Sequence, residues 1–327
     1  MAKWGVKSAK KPVVKKKAKA RTARSQATRI LAQGAGAFPR KAFGAGKEAK
    51  TVKAAYTLGL NARLPHHLGL PRAVGPYQVI RTSKLLTSTA DVIIFSPIML
   101  DAENINGGAR WYGACGIESV DKTNPVNATN NSVMIDMPMD TLGGAVDVVP
   151  AAMTVQVMCP TALQTAAGLF TMARASQPLS LGGDSRTWSQ FRTQFNSFFR
   201  PRVLTGGKLA LRGVTCNAVP LDMSEYADFA PVTMHNGTLM TWDAKKRPAA
   251  LSPIVFTSNG EGEVMSFLVT IEWRVRFDPQ SPAAASHVFH EPTSDAVWGA
   301  VIKRASEMGH GVEDIVDGIA DIGAAVV

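Results

Sequence analysis

An all-β body, an antiparallel jelly-roll β-sandwich, carried between a basic N-terminal arm and a C-terminal amphipathic helical segment, is the architecture this 327-residue chain predicts. Three observations point to it. Positive charge is confined to one end, short β-favouring runs separated by turn residues fill the middle, and a 3–4 apolar spacing takes over after residue 290.

The arm comes first. Residues 1–53 hold 16 Lys and Arg against a single acid, Glu48, out of 36 basic and 25 acidic residues in the chain, so 20 basic and 24 acidic side chains remain for residues 54–327. Eleven of the basic residues lie within 1–29: Lys3, Lys7, Lys10, Lys11, Lys15, Lys16, Lys17, Lys19, Arg21, Arg24 and Arg29. Like charges repel, and little apolar surface is available to offset chain entropy, so the segment is expected to be disordered. Residues 30–53, with Gly34, Gly36, Gly44 and Gly46, read as a tether. Neutralising phosphates with Lys and Arg releases counterions and gives salt-dependent, sequence-blind affinity. Aromatics are sparse there (Trp4, Phe38, Phe43), so base stacking adds little. A receptor-read or membrane-surface basic signal is the alternative reading.

The body spans 54–280 and reads as strands over 77–86, 91–100, 133–137, 153–159, 203–219 (in two pieces), 232–242, 253–257 and 263–277. VTMH-NG-TLMTW places Asn236-Gly237 between two strand-like halves, a hairpin signal. The last strand alternates most clearly, with Met265, Phe267, Val269, Ile271 and Trp273 on one face. Trp188, Phe191 and Phe195 recur at helical spacing in TWSQFRTQFNSFF and predict a short amphipathic helix. Beyond FDPQSPAAAS, in the segment 281–327, Val297, Val301, Ala305 and Met308 mark a helix with Ser294 as its N-cap. Gly309 and Gly311 break it. A second helix is expected from Val312, with Val312, Ile315, Ile319 and Ile322 as its apolar face and an acidic back. That face either packs or makes transient membrane contact; interfacial helices usually carry basic polar faces, which favours packing.

Little else carries chemistry. There is no GxxxxGK[ST], GxSxG, HExxH or GxGxxG. Asp136 and Asp140, with Asp147 nearby, could offer oxygen ligands to Ca²⁺, and that is the one cofactor expectation; solvated carboxylates are the plainer reading. Cys115, Cys159 and Cys216 form no CxxC and read as buried, reduced thiols. No run approaches the roughly 18 apolar residues of a membrane span, and no apolar signal core opens the chain. The chain is expected to be made in the cytosol and to be no enzyme.

The arrangement resembles the coat proteins of small icosahedral positive-strand RNA viruses, noda-like and tombus-like. The resemblance is carried by the arm (Lys3–Arg29), by LPRAVGPYQVIRTSKLL leading into the sandwich, by the exit strand VMSFLVTIEWRVRFDP, and by the helix from Val312. It implies an eight-stranded jelly roll, an icosahedral shell of many copies (about 180 in the quasi-equivalent case), single-stranded genomic RNA as the partner of the arms, and a place in the virion after assembly in host cytoplasm. At about 180 copies the arms would carry roughly 2,700 positive charges, of the order of the phosphates in a few-kilobase genome. The last asparagine is Asn259, ahead of the exit strand. Self-cleavage after an Asn near the terminal helix, a noda-like trait, is therefore not carried over. A cellular nucleic-acid-binding protein with a basic tail and a β-sandwich domain is the alternative.

Overall fold

The computed structural model describes residues 59–315, apart from 65–67, 101–109, 127–131, 138–144, 178, 180, 182–183, 224–225, 227, 236–238, 244–250 and 260–262. Fifteen strands are described: β1 Gln78–Ser88, β2 Val92–Phe95, β3 Ile98–Leu100, β4 Arg110–Ser119, β5 Ser132–Asp136, β6 Ala145–Met158, β7 Leu169–Arg174, β8 Arg202–Thr205, β9 Val214–Asn217, β10 Ala230–Pro231, β11 Thr233–His235, β12 Leu239–Asp243, β13 Ile254–Ser258, β14 Met265–Phe277 and β15 Val312–Asp314. The described α-helices with both ends defined are α1 Trp188–Phe198, α2 Gly206–Leu211 and α3 Asp295–Glu307, and a 3₁₀ helix covers Pro282–Ser286.

The strands form two antiparallel sheets. The first runs β1-β14-β6-β9-β15 and the second β11-β12-β4-β2-β13-β7-β8. Setting aside the short strands β3, β5, β10, β11, β12 and β15, and the ten-residue β4 that joins β11 and β12 to β2, leaves eight, β1, β2, β6, β7, β8, β9, β13 and β14. Renumbered one to eight, they lie in the orders 1-8-3-6 and 2-7-4-5, the doubled Greek key of a jelly roll. The expected fold class is the observed one. β14 is central to the first sheet because both its edges are paired, with β1 from Gln78↔Val275 to Ser88↔Met265 and with β6 along most of its length.

Alternation along β14 sends Phe267, Val269, Ile271 and Trp273 inward, where they meet the second sheet's Phe95, Phe170 and Phe256. Phe95–Phe267 and Phe256–Phe267 ring centroids lie 5.2 and 5.0 Å apart and join the layers. A second, smaller core forms on the outer face of the second sheet. There α1 lays Trp188, Phe191 and Phe195 over Val92, Ile94, Ala173 and Val255. The helix starts at a capping box, Thr187 accepting from the Gln190 amide and the Gln190 side chain accepting from the Thr187 amide. The predicted aromatic helix is present, with the predicted face.

Three expectations are corrected. The run 203–219 gives two strands as expected, but the stretch between them is helical: Thr205 caps α2 by accepting from Lys208 N, and Gly206 is needed there because a Cβ would lie 2.2 Å from the Ala167 carbonyl. The run 91–100 is two strands, parted at Ser96-Pro97, since Pro cannot donate to a ladder. Val312 lies on a strand and not on a helix face: β15 pairs Val312↔Cys216 and Asp314↔Val214 along the open edge of β9. An edge strand's unpaired N–H and C=O groups prevail over a weak apolar period here. Ile319 and Ile322 lie outside the described residues.

Candidate assembly and nucleic-acid interface

The arm residues Lys3–Arg29 lie outside the described residues, but the root from which they extend is described. Leu60, Leu68 and Leu70 are buried against the outer face of the first sheet. Ala62 N donates to Thr154 Oγ1 on β6 at 2.9 Å, and Arg274 Nη2 on β14 donates to the Leu68 carbonyl at 3.1 Å. Helix α3 clamps the same segment: Trp298 Nε1 donates to Gly69 O at 3.0 Å. Ser294 holds the N-cap position of α3 as expected, although its side chain makes no capping hydrogen bond.

Beneath that root lies a buried polar cluster that the sequence reading passed over. Even-numbered positions of β14 face outward, and Glu272 and Arg274 are nonetheless almost fully buried. Glu272 Oε2 accepts from Arg81 at 2.6 Å. Burial pushes the Glu272 carboxyl above its ordinary range, while Arg274 and Arg81 pull it back. The Arg274 guanidinium lies over the rings of Tyr226 and Tyr77, at 5.2 and 5.9 Å, and its Nε and Nη1 have no hydrogen-bond partner among the described residues. Tyr226 donates to the Ala151 carbonyl, and burial raises its hydroxyl to about 12. His290 stacks on Tyr77 with centroids 4.2 Å apart. The available signal was the alternation E-W-R-V-R-F, which places charges on one face of a strand whose other face is apolar.

The C-terminal segment returns to the same sheet. After α3 the chain turns at Gly309 (φ 60) and Gly311 (φ 74) into β15. Gly311 is required because a Cβ would stand 2.2 Å from Arg174 Nε. Arg174, on β7 of the second sheet, donates to the carbonyls of Ala305 and Asn217. Arg202 on β8 donates to Val312 O at 3.0 Å and to Asp314 at 2.9 Å, and Lys208 lies 3.1 Å from Asp314. The segment is thus paired to one sheet and pinned by arginines from the other. Ile315 packs at Gly213, whose Cβ position is 2.7 Å from Ile315 Cδ1. The arm root and the C-terminal segment are both attached to the first sheet.

Asp136 is occupied. Lys84 Nζ, on β1, bonds its Oδ1 at 2.8 Å and its backbone carbonyl at 2.7 Å, and that hydrogen bond holds the carboxyl below its usual range. Asp140 lies outside the described residues, and among the described residues no three His, Cys, Asp or Glu gather as metal ligands. What Asp136 does here is strap the two sheets together. Cys115, Cys159 and Cys216 are free and buried as read, and burial lifts the Cys115 and Cys216 thiols to about 12. Among the described residues no helix is long and apolar enough to cross a membrane.

Exposed apolar side chains gather at the far edge of the second sheet. Phe198 at the end of α1 is 78% exposed, Val203 on β8 is 62% exposed, and Leu169 on the paired strand β7 is also exposed. Between α1 and β8, Arg200 takes a left-handed backbone (φ 45) ahead of Pro201, a conformation that Gly or Asn ordinarily supplies. At one end of the sandwich an open cleft of about 860 Å³ lies between the β1–β2 turn and the end of β4. Asp91, Glu118, Asp121 and Lys122 line it, together with Val120 and Val264.

No family model and no curated protein matches the chain. Among solved structures it is similar to the infectious bursal virus-derived T=1 particle (9% identity, covering 84% of this chain and 96% of that one, TM-score 0.46). It is also similar to the 60-mer BFDV capsid protein (9%, 63% and 97%, TM-score 0.29) and to the mud crab tombus-like virus structure (10%, 65% and 87%, TM-score 0.33).

Proposed function

We propose that this chain is the coat protein of a small icosahedral positive-strand RNA virus, assembling in many copies around single-stranded RNA held by its N-terminal arms. The observation that carries the reading is the division of charge. Sixteen basic residues against one acid occupy residues 1–53, and a body with 20 basic and 24 acidic residues follows. A near-neutral body allows close packing of like copies, which a uniformly basic protein would resist. The attachment of the arm root supports a polarity for the subunit. Arm and C-terminal segment both leave from the first sheet, so that side faces the genome and α1, on the second sheet, faces away. The role is structural, with no catalytic step.

Sizing and electron microscopy of the expressed full-length chain test it. The expected result is megadalton particles containing RNA. A monomer or dimer at every salt concentration would sink the proposal and leave a cellular nucleic-acid-binding protein in its place. Deleting residues 2–29 is expected to abolish RNA packaging while the body stays folded.

A further inference from the structure

The subunit carries an exposed knob after α1 and, at one end of the sandwich, a cleft, and the two are complementary in charge and in apolar character. The knob is the turn joining α1 to β8, where Phe198 is 78% exposed and Val203 62% exposed, with Arg200 exposed between them. From Ser185 to Arg212 the sequence contains no carboxylate. The cleft, about 860 Å³, is a size that takes an aromatic ring and a guanidinium together. Its rim exposes Val120 (59%) and Val264 (38%), and its walls hold three carboxylates, Asp91, Glu118 and Asp121, against Lys122. Glu118 is fixed by a 2.7 Å hydrogen bond from Ser88, and Asp121 by bonds from Thr123 N and Oγ1 at 2.9 and 2.8 Å, so two acceptors are held in place before anything docks.

A chain cannot place its own knob in its own cleft. The first turn of α1 is bonded beside the cleft, Ser189 N donating to Lys122 O at 3.1 Å. The knob sits at the other end of this 11-residue helix, about 16 Å away. We infer that the Phe198–Arg200 knob of one copy seats in the Asp91–Glu118–Asp121 cleft of the next. The occupant is a second copy of this chain, chosen by the aromatic–aliphatic match and by Arg200 meeting carboxylates. Such a contact is heterologous: each copy gives a knob and receives one, so copies close into a ring where the rotation permits. The inference rests on the coat-protein reading and supplies the subunit contact that reading lacks.

Paired cysteines test it on assembled particles, since the three native cysteines are buried. A Phe198→Cys/Val120→Cys chain should give a ladder of covalent oligomers on mild oxidation, and neither single variant should. Arg200→Glu and Asp121→Arg should each lower particle yield at least tenfold, and the two together should restore it. Melting of the unassembled Phe198→Asp chain should match the wild type, because the ring is exposed. Wild-type particles whose double-cysteine form gives no ladder, or Arg200→Glu and Asp121→Arg chains that assemble normally, would overturn the knob-and-cleft contact and leave the coat-protein reading standing. Failure of the wild type to form particles at all would remove both.

Discussion

At the scale of single residues, Arg274 is the side chain on which the most depends. It is a fully buried cation serving Leu68 O on the arm root, two tyrosine faces and the Glu272 carboxylate. Removing one member of a buried charge cluster costs more than the cluster contributes, because it strands the others. Arg274→Ala is expected to destabilise the body by about 3–5 kcal/mol in urea denaturation. Glu272→Gln combined with Arg274→Met should lose clearly less than the two single changes added together. Additive losses would show that the pair is not coupled. The charges of this cluster were legible in the strand's alternation, but their burial was not. Period-two reading of β14 assigns Glu272, Arg274 and Arg276 to the outward face, and outward charges are normally solvated. The return of residues 59–64, 68–70 and α3 onto that face helps bury Glu272 and Arg274, and no local pattern announces a tertiary return of that kind. Asp136 shows the converse: its grouping with Asp140 and Asp147 suggested a cation site, and its described partner is Lys84 from the opposite sheet.

At the scale of elements, the strands read correctly are those whose β-favouring runs are not diluted by small residues. β14, β1, β5 and β13 were found near their true bounds, and the capped aromatic helix α1 was found whole. β4 was missed although it pairs with β2, β3, β5 and β12. Its sequence RWYGACGIES is diluted by small residues, and Gly116 is one of necessity, since a Cβ there would stand 2.7 Å from Ile94 O. α2, at six residues, is too short for a period of 3.6 to be told from 2. β15 was read as helix because its apolar spacing continued that of α3, and the β9 edge decided otherwise. The latch that holds β15 carries its own pH dependence. His310 Nδ1 accepts from Val312 N at 2.9 Å, and burial, with Arg202 and Arg174 nearby, depresses its protonation below the ordinary value of 6.5. A histidine depressed in the folded state binds fewer protons there than in the unfolded chain, so stability is full above 6.5 and falls as pH drops from 6.5 towards the depressed value. Asp314, paired with Arg202 and Lys208 and itself held low, keeps its charge through that window. Hydrogen exchange of residues 309–314, corrected for intrinsic rates, should therefore quicken between pH 7.5 and 5.5. His310→Asn, which keeps an acceptor and loses the titration, should flatten the response. An unchanged slope in that variant would place the switch elsewhere.

At the scale of the whole molecule, the charge division makes a quantitative demand. If the arm acts by counterion release, as proposed, an arm with so few aromatics should hold RNA in proportion to its charge and not to its sequence. Replacing the eleven basic residues of 1–29 by Gln leaves five basic residues and Glu48 in the first 53, about a quarter of the original net charge. Packaged RNA per particle, read from the absorbance ratio of purified shells, is expected to fall to about a third or less. A scrambled arm of identical composition should package as the wild type does, because order carries no information in a sequence-blind contact. The body should be indifferent to both changes, with the same melting temperature, since the arm's root and not its charge is what the first sheet grips through Thr154 and Arg274 and α3 through Trp298. RNA content that stayed level as charge was removed would shift the packaging role onto the body, and its 20 basic residues against 24 acids leave it poorly suited to take that role.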